Sequence, residues 1–319
     1  MQTPQTLAFL PLLLRRLCVG TTWLPSVRLP SARLPSTLLS TALLRATALE
    51  LVVLAGHALL YPTGITGERR TTPGSATGTA AVAPGRTGRT SEPATAPAGT
   101  TALPTGHPER PPVVLLHGFI DNRSVFVLLR RSLARHGWRH LESLNYSPLT
   151  CDIRTAAELL DRHIEEICAR TGHREVNIVG HSLGGLIARY YVQRLGGDRR
   201  VRTLVTLGTP HGGTAVAPLA GAHPIVRQMR SGSAPIEELR LPAPGCRTRF
   251  VSFWSELDQV IVPVEAACID HPDLDVVNVR VSGVGHLALP VHPAVAAGVR
   301  QALDAHTPAQ GPAGTASVA

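Results

Sequence analysis

The sequence has 319 residues, of which 44% are hydrophobic, so it can form one large or two small domains with a buried core. Its net charge is +9, but residues 1–107 hold nine Arg and three acids, whereas residues 108–319 hold 22 Arg and 19 acids. Because the excess charge lies near the N-terminus and no stripe of Arg and aromatic side chains follows, the composition argues against nucleic-acid binding.

The N-terminal region, residues 1–61, is predicted to be a leader. A hydrophobic stretch at residues 38–60 is interrupted by Arg45 and Glu50, and four basic residues precede it: Arg15, Arg16, Arg28 and Arg33. Positive charge upstream of an apolar segment favours export of the chain that follows. We therefore expect an exported protein, secreted after cleavage of a signal peptide or anchored by a retained helix. The alternative is a buried helix that packs on the following domain.

Two further segments have the composition of disordered chain. Residues 62–108 consist mainly of Thr, Gly, Ala and Pro and are predicted to form a flexible linker. Residues 307–319 are similar and are predicted to form a disordered tail. The folded domain is therefore expected to span residues 109–306.

Within this domain, short apolar runs alternate with amphipathic stretches, which is typical of strands and helices in an α/β fold. The pattern predicts a sheet of about six mainly parallel strands, flanked by helices. The strands are expected near residues 112–116, 141–146, 176–179, 202–207, 249–254 and 276–281. In such sheets the chemistry collects at the carboxyl ends of the strands.

A segment at residues 215–241 is expected to form a small cap with an apolar inner face. The side chains in question are Val216, Leu219, Ile225, Val226, Met229 and Ile236. Such a cap would favour acyl chains over sugars or peptides. The alternative is that this segment packs into the core like any other excursion of the chain.

The first chemical motif is Gly180-His181-Ser182-Leu183-Gly184, which follows a predicted strand and precedes a predicted helix. A nucleophilic serine needs a tight strand-to-helix turn to lift its hydroxyl above the sheet, and glycine suits the crowded positions on either side. The motif in this context predicts that Ser182 is a nucleophile.

The second motif is His117-Gly118-Phe119, at the end of the first predicted strand. In a fold of this kind the oxyanion hole takes one backbone N–H from this loop and one from the residue after the nucleophile. The expected donors are therefore the N–H groups of Phe119 and Leu183.

A base and an orienting acid should follow the nucleophile along the chain. His286 lies in a glycine-rich loop directly after the last predicted strand, and Asp258 follows the penultimate strand, with Glu256 as its nearest competitor. Histidine has the near-neutral pKa that a general base needs. We predict a Ser182–His286–Asp258 site, shaped by further residues of the motifs: His117, Gly118, Gly180, His181, Gly184 and His211.

These motifs, together with the run Val205-Thr206-Leu207-Gly208-Thr209-Pro210-His211-Gly212-Gly213, resemble the lipase/esterase branch of the α/β-hydrolase superfamily. The chain looks most like secreted or membrane-attached actinobacterial lipases and, more distantly, like GPI inositol-deacylases. The resemblance implies hydrolysis of carboxylic acyl esters such as triacylglycerol-like lipids, without a cofactor. We also expect a monomer that acts at a lipid or membrane interface. The resemblance also implies that the run at 205–213 supports the nucleophile loop. No metal is expected, since the loop after His286 lacks acidic ligands.

The same fold and residues leave other functions open, because they do not decide which molecule accepts the acyl group. An acyltransferase or a thioesterase would use the same three residues. A non-catalytic binding module is the third possibility, and the complete set of candidate site residues argues against it.

The five cysteines allow one disulfide to be considered. Cys151 and Cys168 flank one predicted helix and would lie roughly 25 Å apart, which excludes a bond between them. Cys246 and Cys268 each precede a strand, so they could meet at one edge of the sheet. An exported protein could oxidise this pair.

Overall fold

The computed structural model describes residues 36–65, 110–119, 121–146, 152–216, 223–305 and 314–318. Most of the expected linker, together with Leu219, Cys18 and Cys151, lies outside these residues. The first residues of the expected linker, 62–65, belong to helix α1, Ser36–Ile65.

The domain is built on one parallel sheet. Its strands, in chain order, are β1 Val113–Leu116, β2 Leu141–Leu144, β3 Val176–His181, β4 Val201–Leu207, β5 Arg249–Ser255, β6 Asp275–Val281 and β7 Gly314–Val318. They lie in the order β2-β1-β3-β4-β5-β6-β7, and every neighbouring pair is parallel. The six predicted strands are confirmed, and the motif at 180–184 begins at the end of β3, which lies between β1 and β4.

The seventh strand is a correction to the prediction of a disordered tail. Gly314–Val318 pairs with β6 from Val277 to Val281. The free edge of β6 presents backbone N–H and C=O groups to any extended segment that reaches it. Such pairing uses the backbone, so a tail of small residues can form a strand although its composition predicts none.

Helices cover both faces of the sheet. The larger helices after α1 are α2 Val127–Arg135, α3 Ile153–Thr171, α4 Leu183–Arg194 and α7 Pro293–Asp304, and two short ones, α5 Pro224–Gln228 and α6 Ala234–Glu238, lie in the predicted cap. Side chains alternate across the sheet: Val114 and Leu116 enter the core with α3 and α4, whereas Val113 and Leu115 enter the core with α2 and α7. Burial on both faces explains why the strands are continuous apolar runs.

Helix α1 packs along the domain through one narrow stripe. Ala46 is buried, Glu50 is half-buried and Val53 packs against a core cluster, at a spacing that places all three on one helical face. Much of the rest of the helix is exposed and apolar, with Leu59 81% and Val52 68% exposed. The segment Leu43–Leu60 is long and apolar enough to cross a membrane, by length and composition only.

The disulfide that the sequence leaves open is not formed in this structure, in which Cys246 and Cys268 are free thiols. Cys268 lies beside the middle of the sheet, since the adjacent Ala267 carbonyl accepts the hydroxyl of Ser252 in β5. Cys246 lies before the start of β5. At about 3.3 Å of rise per strand residue, the two thiols sit at different heights of the sheet. Burial raises the pKa of both thiols, that of Cys268 to about 11.

One buried side chain of the sheet should weaken the fold. The amide of Asn177 in β3 is fully buried, and neither its oxygen nor its nitrogen has a hydrogen-bond partner. Leucine has the same shape and no polar atoms to desolvate. We expect Asn177→Leu to raise the free energy of unfolding by about 1–2 kcal/mol, measured by urea denaturation.

Asn278→Leu is the matched control, because the Asn278 amide bonds both the N–H and the C=O of Ile269, each at 3.0 Å. The same substitution there should lower stability. A loss of stability in Asn177→Leu comparable with that of the control would contradict the assignment of an unsatisfied amide.

Candidate active site

Ser182 occupies a strained turn between β3 and α4. Its φ of 52° and ψ of −121° make it the one non-glycine residue with positive φ in the described part of the chain. Its N–H donates to the Leu207 carbonyl at 2.9 Å, and its own carbonyl accepts the Thr209 hydroxyl at 3.0 Å. Such strain persists only where the surroundings enforce it, and it commonly marks a functional position.

The motif glycines make this turn possible by letting backbones touch. A Cβ added to Gly180 would lie 2.6 Å from the backbone of Gly185, and one added to Gly184 would lie 2.3 Å from the Leu116 carbonyl oxygen. The structure thus confirms the packing reason for glycine at both predicted positions. Thr209, in the run at 205–213, fills the remaining space against Gly185.

The loop after β1 lies against Ser182. A Cβ on Gly118 would be 3.2 Å from the Cβ of Ser182, so this residue passes directly beside it. The ring of His117 stacks on Tyr146 at 4.5 Å between centroids, and the Tyr146 hydroxyl donates to the His117 carbonyl. These contacts fix the loop that carries Phe119. Leu183, the other predicted donor, is the first residue of α4, where N–H groups have no acceptor within the helix.

His286 and Asp258 form a hydrogen-bonded pair, as predicted. Nδ1 of His286 lies 2.7 Å from Oδ2 of Asp258, and both residues are 4% exposed. The other carboxylate oxygen accepts the N–H groups of Val260 at 2.8 Å and Ile261 at 2.9 Å. Nδ1 must therefore carry the proton it shares with Asp258, which leaves Nε2 as the basic nitrogen. Glu256, the competitor, pairs with Arg280 instead.

The environment of His286 favours its protonated form. Burial is the largest single influence and lowers its pKa, but the charge and hydrogen bond of Asp258, with the charges of Glu50 and Asp121, outweigh it and raise the pKa above its ordinary value. This arrangement stabilises an imidazolium and so suits a base that must hold a proton briefly.

The backbone after β4 joins these parts. A Cβ on Gly208 would meet Nδ1 of His286 at 3.0 Å and Oδ2 of Asp258 at 3.2 Å, while the adjacent Leu207 carbonyl accepts the Ser182 N–H. The ring of His181 lies 4.9 Å from that of His286. Ser182, His286 and Asp258 thus share one neighbourhood at the carboxyl ends of β3 to β6.

Two predicted shaping histidines have distinct surroundings. Nδ1 of His181 lies 3.2 Å from Oδ2 of Asp121, a residue that the sequence motifs do not single out. His211 is also buried, and its Nε2 lies 2.9 Å from the Thr206 hydroxyl oxygen. Burial holds the pKa of His211 well below its ordinary value, so it serves as a neutral packing residue.

The cap segment contributes less to the site than expected. Ile225, Val226, Met229 and Ile236 are buried in the core cluster of α3 and α4. The ring of His223, which caps α5, lies 5.4 Å from the ring of Phe119. The described part of this segment therefore packs mainly into the core, and its His223 ring lies beside Phe119 at the site.

Glu50 is a site neighbour that sequence reasoning missed. Its carboxylate accepts the N–H groups of Leu287 at 3.0 Å and Ala288 at 2.9 Å, directly after His286. The available signal was a lone acid inside an apolar helix, which burial in lipid does not explain. In the described residues no group of three or more His, Cys, Asp and Glu side chains could hold a metal ion.

The tight turn gives a stability prediction. Gly184→Ala places a methyl group against a backbone carbonyl that cannot move aside, so we expect a loss of about 1–3 kcal/mol in thermal or urea unfolding. Gly56→Ala is the control, since a Cβ at Gly56 meets nothing within 4 Å. Equal stability of the two variants would contradict the close approach of α4 to β1.

The comparisons with known proteins agree with this architecture. Residues 111–243 match the family described as the alpha/beta hydrolase fold. A triacylglycerol lipase of Pseudarthrobacter phenanthrenivorans is 30% identical over 115 residues, which cover 34% of this chain and 35% of the lipase. A triacylglycerol lipase of Burkholderia plantarii is 31% identical over 115 residues, covering 34% and 32%. The chain spans about one third of the length of these relatives.

Two solved structures share the fold. Lipase B of Aspergillus fumigatus superposes with a TM-score of 0.55 at 17% identity, covering 62% of this chain and 54% of the lipase. A gene product of Listeria innocua superposes with a TM-score of 0.50 at 14% identity, covering 66% and 99%. The parallel sheet, the family match over residues 111–243 and these two structures together show that the chain has the α/β-hydrolase fold.

Proposed function

We propose that the protein is a serine hydrolase of the lipase/carboxylesterase type, which cleaves carboxylic acyl esters through Ser182, His286 and Asp258. The observation that carries the proposal is the strained backbone of Ser182 beside the buried, hydrogen-bonded pair of His286 and Asp258. A nucleophile, a base and an orienter of the base are the parts that acyl transfer needs.

The reaction follows from the roles of these groups. Oγ of Ser182 attacks the ester carbonyl carbon while Nε2 of His286 takes its proton, and Asp258 stabilises the imidazolium. The N–H groups of Phe119 and Leu183 donate to the oxyanion. The carbon–oxygen bond to the alcohol then breaks, and the alcohol leaves with the proton from His286. Water repeats the sequence on the acyl-enzyme, releases the carboxylic acid and restores Ser182.

A lipid ester is the proposed substrate class. The matched segments of the two bacterial triacylglycerol lipases support this choice. The apolar surface of α1, with Leu44 69%, Val52 68% and Leu59 81% exposed, gives the domain a face that suits a lipid interface. We propose that the protein is exported and that α1 lies along a lipid surface and holds the domain there.

The test is hydrolysis of p-nitrophenyl esters of short and long acyl chains by the full chain. We expect turnover of both chain lengths, and a loss of at least about 10³-fold in Ser182→Ala, because the proposed acyl-enzyme forms on the Ser182 hydroxyl. When an alcohol is added, we expect the free carboxylic acid to remain the main product, ahead of the ester formed with that alcohol. Equal rates in the two proteins would contradict the proposal, and dominant transfer to the alcohol would indicate an acyltransferase.

The pKa of His286 sets the pH dependence. Only neutral His286 can accept the Ser182 proton, and its pKa is raised, so activity should be lost as pH falls through a value above the ordinary imidazole pKa of about 6.5. The measurement is kcat/KM against pH in a pH-stat, with an ester that has no ionisable group. An acidic midpoint below about 6 would contradict the assigned surroundings of His286.

A further inference from the structure

We propose that Glu50 is a positioning residue for His286, so that helix α1 forms part of the active site and is not a separable leader. The inference rests on the proposed function, because it assigns to Glu50 the placement of the base in the Ser182 mechanism. Glu50 contacts Leu287 and Ala288, which follow it by 237 and 238 positions in the sequence.

The Glu50 carboxylate binds the backbone immediately after His286. Oε2 accepts the N–H of Leu287 at 3.0 Å, and Oε1 accepts the N–H of Ala288 at 2.9 Å. The two oxygens thus accept the N–H groups of two successive residues. Hydrogen bonds to a charged acceptor are stronger than those between neutral groups. These two amides sit at the start of the turn that leads into the 3₁₀ helix Leu289–Val291.

The chain immediately before the base is packed against the same carboxylate. A Cβ on Gly285 would lie 2.5 Å from an oxygen of Glu50, so the glycine lets the loop backbone approach it. Other holds come from the domain: the His286 carbonyl lies 3.3 Å from Nε2 of His181, and the Val284 carbonyl accepts the Ser255 hydroxyl. Glu50 therefore contacts this loop both before and after His286.

The charges around His286 give Glu50 a second effect. Asp258, Asp121 and Glu50 are the acids that act on the imidazole, and the ring of His181 faces it. Partial burial is the largest influence on the Glu50 carboxyl and raises its pKa above the ordinary value, although the two amide hydrogen bonds and the charge of His286 lower it. In its ionised form Glu50 accepts both amides and favours the protonated base.

The placement also explains the pattern of the helix. Ala46, Glu50 and Val53 form a stripe that touches the domain, while Leu44, Val52 and Leu59 are exposed. An acid in the middle of a lipid-facing helix would be costly, whereas here it is satisfied by protein. Cleavage after α1 would remove the hydrogen bonds of Glu50 with Leu287 and Ala288, so the active enzyme is expected to keep this helix.

The experiment compares the full chain with Glu50→Gln and with the control Glu166→Gln, which makes the same change at an exposed position of α3. A Gln side chain offers one acceptor oxygen, so it can hold only one of the two amides. The assays are kcat and KM with a p-nitrophenyl ester, the acidic midpoint of kcat/KM, and hydrogen exchange of peptides that cover residues 283–291.

We expect kcat of Glu50→Gln to fall about tenfold with KM within about twofold, since misplacement of the base affects the chemical step. The acidic midpoint should shift to lower pH, because a charge that raises the pKa of His286 is gone. Exchange at Leu287 and Ala288 should become faster, while Glu166→Gln matches the wild type in every assay.

Two outcomes would overturn the inference. One is unchanged exchange in Glu50→Gln, which would mean that the carboxylate does not hold the loop, whether or not the protein hydrolyses esters. The other is faster exchange with unchanged kcat and midpoint in an active wild type, which would reduce Glu50 to a purely structural contact. A wild type without esterase activity would instead defeat the proposed function.

Discussion

The strained backbone at Ser182 is the constraint on which the site depends. A positive φ at a residue with a side chain is unfavourable, and it is held here by a hydrogen bond to the Leu207 carbonyl and by backbone contacts that only glycine allows at positions 180 and 184. Because β1, β3 and β4 all contribute to these contacts, the central sheet must be formed before the hydroxyl of Ser182 can be presented above it. The sheet therefore imposes the backbone conformation of Ser182.

The second organising feature is the control of charge around a buried imidazole. Removal of His286 from water lowers its pKa, and the acids near it reverse that effect. Asp258 does so by direct hydrogen bonding, and its other oxygen is held by two backbone N–H groups. Hydrogen bonds from the protein itself hold the pair, which suits a base that must keep one orientation. Glu50 extends this arrangement to a helix that precedes the domain by more than forty residues.

Much of the fold and the core of the site could be predicted from local patterns. Apolar runs of four to seven residues marked six strands, and the turn after β3 placed Ser182 because glycine, serine and glycine have a steric reason to stand at that spacing. His286 and Asp258 followed from chain order and from their positions after strands. These inferences depend on short segments, in which the residue type itself reports the local requirement.

The remaining features depend on contacts between distant segments. Glu50 meets Leu287 across 237 positions, and nothing in either segment alone indicates the partner. Asp121 beside His181, the pairing of Gly314–Val318 with β6, and the different heights of Cys246 and Cys268 likewise follow from the assembled sheet. The buried cap residues differ from the expected lining of a cleft, because an apolar side chain suits a core as well as a substrate pocket.

The most direct test of the central claim is covalent trapping of the nucleophile. The full chain would be treated with an alkyl fluorophosphonate, digested and mapped by mass spectrometry, beside Ser182→Ala and His286→Ala. We expect one phosphonate adduct on Ser182, much slower labelling in His286→Ala and none at this peptide in Ser182→Ala. An unlabelled wild-type protein that is folded, or an adduct on another residue, would contradict the assignment of Ser182 as the nucleophile of an acyl-ester hydrolase.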